Sequence, residues 1–208
     1  MNFLGIDTTG SNELIVAYIN NKKYVTEYKG TRHSEELLTH VEKVIGKAHV
    51  SLKDIDVFGN VSGPGSFTGI RIGLATIKAF AFALNKPVVN VSRFEILSSA
   101  YSGYAIIKCT KTSVYWAKIG KTIEYGVADL DDLEKIVPTK SQVVCLGTEQ
   151  IDLPTSYKNI VTVEGYKDLV LPYMLKMQSE SKLCDSNEIQ PLYIQVSQAE
   201  RLAKVDKW

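Results

Sequence analysis

Two segments of this chain, residues 7–11 and 63–69, carry residue types that could bind an anion together with a metal ion. The first reads Asp-Thr-Thr-Gly-Ser and follows a short apolar strand at a tight turn. A carboxylate, small hydroxyl groups and a glycine at such a turn can hold a hydrated Mg²⁺ ion and a phosphate. The simpler alternative is a β-turn in which Asp7 and the threonines bond their own backbone. Both interpretations stay open for this segment taken alone.

The second segment reads Gly-Pro-Gly-Ser-Phe-Thr-Gly and connects a predicted strand at 56–62 to a predicted helix at 70–84. The N-terminus of a helix favours an anion, because its first N–H groups are unpaired and the helix dipole is positive there. The segment is not a P-loop, since no Gly-Lys-Ser/Thr follows, and it is one residue longer than the dinucleotide-binding fingerprint. The candidate phosphate-loop residues are Asp7, Thr8, Thr9, Gly10, Gly63, Gly65, Ser66, Thr68 and Gly69.

No residue set in the sequence has the spacing of a metal site or of a catalytic triad. The only histidines are His33, His40 and His49, and the first two are too far apart for paired ligands on one helix. None of them stands in an arrangement typical of nucleophilic catalysis. The three cysteines form no CxxC pair, which is typical of thiols in a reducing compartment. The sequence therefore predicts neither a metal ion nor a catalytic residue.

The composition is that of a globular protein with no marked preference for nucleic acid. The 208 residues are 45% hydrophobic and 23% charged, and the net charge is +1. Any contact with nucleic acid is therefore expected to be weak or shared with a partner. The N-terminus lacks the basic start of a signal peptide. We also expect no apolar span of 18 residues, which predicts a cytoplasmic protein that does not cross a membrane.

The hydrophobic pattern predicts the same order of elements twice. Three consecutive antiparallel strands are followed by helix, strand and helix, and the order restarts near residue 104 in a shorter and less regular form. This repetition predicts an α/β protein with a first lobe at residues 1–101 and a smaller lobe at residues 102–189.

The predicted helix at 70–84 is apolar nearly all round, with Arg71 and Lys78 as its only charges. Such a helix must be covered on both sides, either inside one large domain or between its own sheet and a partner protein. We favour the partner, and extend this prediction to the helix at 34–48. The candidate interface residues are Leu37, Val41, Val44, Ile70, Leu74, Ile77, Lys78, Phe80 and Ala81.

Several motifs stand in the order found in the TsaB (YeaZ) family, which the chain resembles over its whole length. They are Ile-Asp-Thr-Thr at 6–9, His-Ser at 33–34, the string Gly-Pro-Gly-Ser-Phe-Thr-Gly-Ile-Arg-Ile-Gly at 63–73, Gln-Pro-Leu-Tyr-Ile at 190–194 and Ala-Glu at 199–200. The resemblance implies the actin-like ATPase (ASKHA) fold, with two lobes of the ribonuclease-H type and the second one reduced. We expect residues 190–208 to pack back on the first lobe.

The resemblance also implies a role in making threonylcarbamoyladenosine beside the anticodon of tRNA. The family supports the catalytic subunit TsaD and works with the ATPase TsaE, so tRNA would be contacted through the complex. TsaD carries two metal-binding histidines where this chain has Arg93 and Leu97, so the chain is expected to be a non-catalytic subunit. Many family members have an Asp-Ala-Arg-like element where this chain has Cys-Thr-Lys at 109–111.

Without TsaD, the chain is expected to form a homodimer through the same helices. The alternative function is that of a stand-alone ATPase or phosphotransferase of the actin-like class that uses the loops at 7–11 and 63–69. No cofactor is predicted, and ATP or ADP at an interface shared with a partner subunit is the one exception left open.

Overall fold

The fold is that of a computed structural model, which describes residues 1–29 and 33–195. Three predictions lie outside the described part of the chain. They are the Ala-Glu motif at 199–200, the packing of residues 196–208 on the first lobe, and the side chains of the His-Ser motif at 33–34.

The first sheet has five strands: β1 (Phe3–Asp7), β2 (Asn12–Ile19), β3 (Lys22–Lys29), β4 (Val57–Val61) and β5 (Val88–Val91). Their order in the sheet is β3-β2-β1-β4-β5. The first three strands are antiparallel, and β1, β4 and β5 are parallel. The hairpin between β2 and β3 turns at Asn20 and Asn21, whose φ angles are +50° and +62°. Asparagine tolerates these left-handed conformations, which a tight hairpin needs at both turn positions.

The second sheet repeats this order with β6 (Gly103–Lys108), β7 (Ser113–Ile119), β8 (Glu124–Asp129), β9 (Val143–Leu146) and β10 (Ile160–Val163). Read from β8, its order is β8-β7-β6-β9-β10, which matches the first sheet strand for strand. Strands β6, β7 and β8 are antiparallel, and β6, β9 and β10 are parallel. Only a short 3₁₀ helix, Leu130–Lys135, stands between β8 and β9, and no helix connects β9 to β10. The predicted duplication and the reduction of the second lobe are both confirmed.

In the described part of the chain, four α-helices cover the sheets: α1 (His33–Lys47), α2 (Phe67–Leu84), α3 (Arg93–Ser98) and α4 (Tyr166–Ser179). Helices α1 and α2 pack on one face of the first sheet, where Leu4, Ile15 and Phe58 form the centre of the core. Helix α3 contributes to both cores, since Ile96 packs with the first sheet and Phe94 with the second. The lobes therefore share side chains across their boundary.

Helix α4 follows the second sheet along the chain, but its buried side chains pack on the first sheet. Val170, Leu171 and Met174 lie in one cluster with Phe3 and Val16, on the face opposite α1 and α2. The sequence placed this helix within the second lobe because it follows β10. The first sheet is thus covered on both faces only when residues from the far end of the chain are in place.

Helix α2 has 18 residues and a mean hydropathy of 1.4, so it is long and apolar enough to span a membrane. The expectation that the chain has no such span was therefore wrong. Ile70, Ile77 and Ala81 of this helix are buried in the first lobe. A helix packed on its own sheet satisfies the same criterion of length and composition, and the buried face identifies α2 as such a helix.

Candidate functional site

The structure brings the two candidate phosphate loops into direct contact. The backbone N–H of Ser66 donates to the carbonyl oxygen of Thr9 at 2.7 Å. The hydroxyl of Thr8 donates to the carbonyl oxygen of Gly69 at 2.6 Å. Both threonines are buried. Donors and acceptors that could have faced a ligand are thus paired with each other across the two loops.

The glycines of the second loop are required by this loop-to-loop packing. A Cβ on Gly69 would lie 1.9 Å from the carbonyl oxygen of Thr8, and one on Gly65 would lie 2.1 Å from that of Thr9. Real Cβ atoms do not approach backbone atoms so closely. A Cβ on Gly73, one helical turn after Gly69, would likewise lie only 2.4 Å from the hydroxyl oxygen of Thr8. The space that a phosphate would need beside these glycines is filled by residues 8 and 9.

Asp7 ends β1 and is only 4% exposed. One carboxylate oxygen accepts hydrogen bonds from the Thr9 N–H at 2.8 Å and from the Thr9 hydroxyl at 2.6 Å. The other accepts from the Tyr166 hydroxyl at 3.0 Å. Burial, followed by the charge of Asp7, raises the pKa of Tyr166 well above its ordinary value, so this phenol remains a neutral donor. The arrangement favours the simpler interpretation of residues 7–11 as a self-bonded turn.

Helix α2 begins three residues before the predicted start, because Ser66 is its N-cap. The Ser66 hydroxyl accepts a hydrogen bond from the Gly69 N–H at 3.2 Å. Thr68 is exposed in the first turn, and Gly63, with a φ of +123°, lies against Ile70. A serine just before an apolar helical segment is a recognised sign of a helix N-terminus, and Ser66 could have been used to predict where α2 begins. One N–H group of the proposed anion site is therefore already capped by the chain.

A cavity of about 510 Å³ lies between the lobes beside Asp7. Gly10, Ser11 and Asn12 of the first lobe line one side, and Gly147 and Thr148 of the second lobe lie opposite. The charged side chains along it have mixed signs and are Asp7, Glu27, Lys29, Arg93, Glu164 and Lys167. This cavity is the place where the loop at 7–11 remains open to a ligand.

Sequence reasoning missed the role of Arg93, which is 3% exposed at the start of α3. Its guanidinium pairs with Glu149 at 2.8 Å and lies 5.5 Å above the ring of Tyr166. Burial disfavours the charged form of Arg93, but Glu149, Tyr166 and Asp7 together outweigh it and raise the pKa of the guanidinium above its usual value. The partners are separated from Arg93 by 56 or more residues, so no local pattern indicates them.

Most of the candidate interface residues are buried within the first lobe. Leu37, Val41, Val44, Ile70, Ile77 and Ala81 are at most 2% exposed. Their assignment to a docking surface was wrong, because they form the core on which the helices rest. Leu74, Lys78 and Phe80 are half-buried. The composition of α2 predicts that both faces are apolar, but it does not say which of them meets the sheet.

The outer face of α2 carries Arg71, Ala75, Ala79 and Phe82, which are spaced by about one helical turn. Phe82 is 82% exposed, the highest value for a large apolar side chain in the described part of the chain. Leu38 of the neighbouring helix α1 is 56% exposed. We call these five residues the outer helical face. It carries an exposed phenylalanine and an arginine, residue types that are enriched at protein interfaces.

Residues 190–193 run along the first lobe and contact the start of α2, whereas Ile194 packs against the core of the second sheet. Leu192 donates its N–H to the carbonyl oxygen of Ser62 at 2.8 Å. Tyr193 stacks on Phe67 with ring centroids 4.6 Å apart, and its hydroxyl accepts a hydrogen bond from Arg71 at 3.1 Å. The Arg71 guanidinium also lies 4.0 Å from the Phe67 ring centroid. This segment fixes one end of the outer helical face.

Two five-stranded sheets of identical strand order, with a cleft between them, define an α/β protein of the actin-like ATPase class. A family model described as TsaD: tRNA N6-adenosine threonylcarbamoyltransferase matches residues 13–183. The chain belongs to this family.

The chain is also similar, over most of its length, to the TsaB (YeaZ) proteins. It is 28% identical over 207 residues to the tRNA threonylcarbamoyladenosine biosynthesis protein TsaB of Buchnera aphidicola subsp. Baizongia pistaciae, covering 89% of this chain and 92% of the relative. The Escherichia coli K12 protein of the same name is 24% identical, covering 78% of this chain and 80% of that protein. The structure of YeaZ from Pseudomonas aeruginosa superposes with a TM-score of 0.70 at 22% identity, covering 92% and 99% of the two chains. The predicted family resemblance and fold are confirmed.

Proposed function

We propose that this chain is a non-catalytic subunit of a cytoplasmic complex that makes threonylcarbamoyladenosine in tRNA. Two of its relatives are named as tRNA threonylcarbamoyladenosine biosynthesis proteins, which supports the pathway. The outer helical face, with Phe82 almost fully exposed, carries the proposal that the chain works by docking. An exposed aromatic side chain on an apolar face is typical of a protein interface.

The chain's own chemistry is consistent with a supporting role. Asp7 and the two candidate loops are joined to one another by hydrogen bonds. Arg93 and Leu97 stand where the catalytic relative is expected to have metal-binding histidines. Leu97 is fully buried in the apolar core of the second lobe and offers no ligand atom. We propose TsaD as the docked partner, TsaE as the ATPase of the same complex, and a homodimer when TsaD is absent.

Reconstitution tests this function directly. The purified chain, TsaD, TsaE and unmodified tRNA are combined with the threonylcarbamoyl donor, and modified adenosine is measured after digestion of the tRNA. We expect modification to fall at least tenfold when this chain is omitted, because the catalytic subunit then lacks its support. Equal modification with and without the chain would contradict the proposal.

The cavity between the lobes favours a second candidate, a stand-alone ATPase or phosphotransferase. The cavity is large enough for a small ligand and includes Asp7 and the loop at 7–11. Since the second loop is filled by residues 8 and 9, we expect the isolated chain to show no heat of Mg-ATP binding at micromolar concentrations and no phosphate release. Tight binding with turnover in calorimetry and phosphate assays would favour this second function instead.

A further inference from the structure

We propose that a buried polar network centred on Arg93 holds the two lobes in one fixed arrangement without any ligand in the cleft. The network consists of Arg93, Glu149, Tyr166 and Asp7, and we call it the interlobe tie. It is independent of the proposed function, because each of its contacts lies within the isolated chain.

Arg93 bonds to the first lobe through its backbone and its side chain. Its N–H donates to the carbonyl oxygen of Gly63 at 2.8 Å, and its Nη1 donates to that of Pro64 at 3.3 Å. Gly63 and Pro64 belong to the loop that leads into α2. The position of the guanidinium is thereby fixed relative to the loop that precedes α2.

The same guanidinium reaches the second lobe through Glu149. Nη2 of Arg93 lies 2.8 Å from Oε1 of Glu149, and the two side chains are only 3% and 11% exposed. The other carboxylate oxygen of Glu149 accepts a hydrogen bond from the N–H of Lys108, at the end of β6, at 2.7 Å. One buried ion pair thus connects the loop at 63–64 to the end of β6, the central strand of the second sheet.

A second connection runs through Tyr166, the first residue of α4. The Arg93 guanidinium lies over its ring, and its hydroxyl donates to Asp7 at the end of β1. Helix α4 follows directly from the second sheet, whereas Asp7 belongs to the first. Arg93 therefore contacts both Glu149 and Tyr166, the residues through which these two connections run.

The physical consequence follows from burial. Separating the lobes would break the Arg93–Glu149 ion pair and would also expose the apolar side chains of α3 that pack in the two cores, Ile96 and Phe94. Exposing buried apolar surface to water is unfavourable. A cleft that opens and closes around a ligand instead needs two arrangements of similar free energy. The interlobe tie therefore keeps this chain in the closed arrangement.

Hydrogen–deuterium exchange on the full chain tests the tie, with Arg93→Met and Glu149→Gln compared to the unmodified protein. We expect amides in both 63–69 and 105–109 to exchange at least tenfold faster in each variant, because each change loosens both sides of the cleft. The double variant is expected to exchange no faster than Arg93→Met alone, since the two side chains act through one contact. Lys135→Met removes the exposed pair between Lys135 and Asp132 and is expected to change neither segment.

Glu149→Gln keeps a hydrogen-bond acceptor and the side-chain volume, so it remains informative even if Arg93→Met fails to fold. Faster exchange confined to residues next to position 93 or 149, with the other segment unchanged, would overturn the proposal. So would additive effects in the double variant. None of these outcomes depends on TsaD, so the tie and the docking function are tested separately.

Discussion

Replacing Phe82 by glutamate is expected to abolish binding to TsaD and to prevent the homodimer. Phe82 is 82% exposed on the outer helical face, so the change leaves the core of the first lobe intact. An aromatic side chain at the centre of an interface typically contributes about 2 kcal/mol or more to binding. Burying an unpaired carboxylate in its place adds a penalty of about 2 kcal/mol or more. The two contributions together amount to about 4 kcal/mol, so the dissociation constant is expected to rise roughly a thousandfold.

Size-exclusion chromatography with light scattering measures this effect, for the chain alone and after mixing with TsaD. The matched control is Ile160→Glu. It introduces the same charge in place of another exposed apolar side chain, which lies on the second lobe and is 44% exposed. The control variant should still bind. Co-elution of the Phe82→Glu variant with TsaD at micromolar concentration would show that α2 does not form the docking surface.

Replacing Gly69 by alanine is expected to destabilise the chain by about 3 kcal/mol, because overpacking against a backbone atom cannot be relieved by a side-chain movement. The added Cβ would lie 1.9 Å from the carbonyl oxygen of Thr8. Either α2 or the turn at 7–11 must therefore shift, and the contacts between the two loops would be lost. For a chain of this size, the expected fall in melting temperature is about 6–12 °C.

Thermal and urea unfolding of the isolated chain measure this change. Gly46→Ala in α1 is the matched control, since a Cβ at position 46 meets no atom within 4 Å. Gly46 lies in the last turn of α1, where alanine is expected to leave the stability unchanged or to raise it by up to about 1 kcal/mol. A Gly69→Ala variant as stable as the unmodified chain would mean that the second loop has room for a ligand after all.

The order of most elements along the chain could be predicted from local patterns. Two runs of three antiparallel strands and the turn at Asn20 and Asn21 follow from alternation and turn residues, which depend only on neighbouring positions. The two candidate loops could be identified from their glycines. That they fill each other could not, because the Thr8 and Gly69 contact joins positions 61 residues apart.

Other features depend on how surfaces meet in three dimensions. Helix α2 is apolar on both sides, so its sequence does not distinguish the buried side from the exposed one. It therefore does not show that Ile77 faces the sheet and Phe82 faces outward. Arg93 in an apolar stretch gives no indication that Glu149 and Tyr166 surround it. In each case, the information lies in the pairing of distant segments.

The position of α4 sets an order of events during synthesis. Residues of β1 and β2 such as Phe3 and Val16 are made early, but their covering residues, Leu171 and Met174, emerge more than 150 residues later. Domains generally fold as units while the chain leaves the ribosome, beginning from the N-terminus. Here the first sheet keeps one apolar face uncovered until the second sheet has been made. The first lobe therefore completes its folding last, although its sequence comes first.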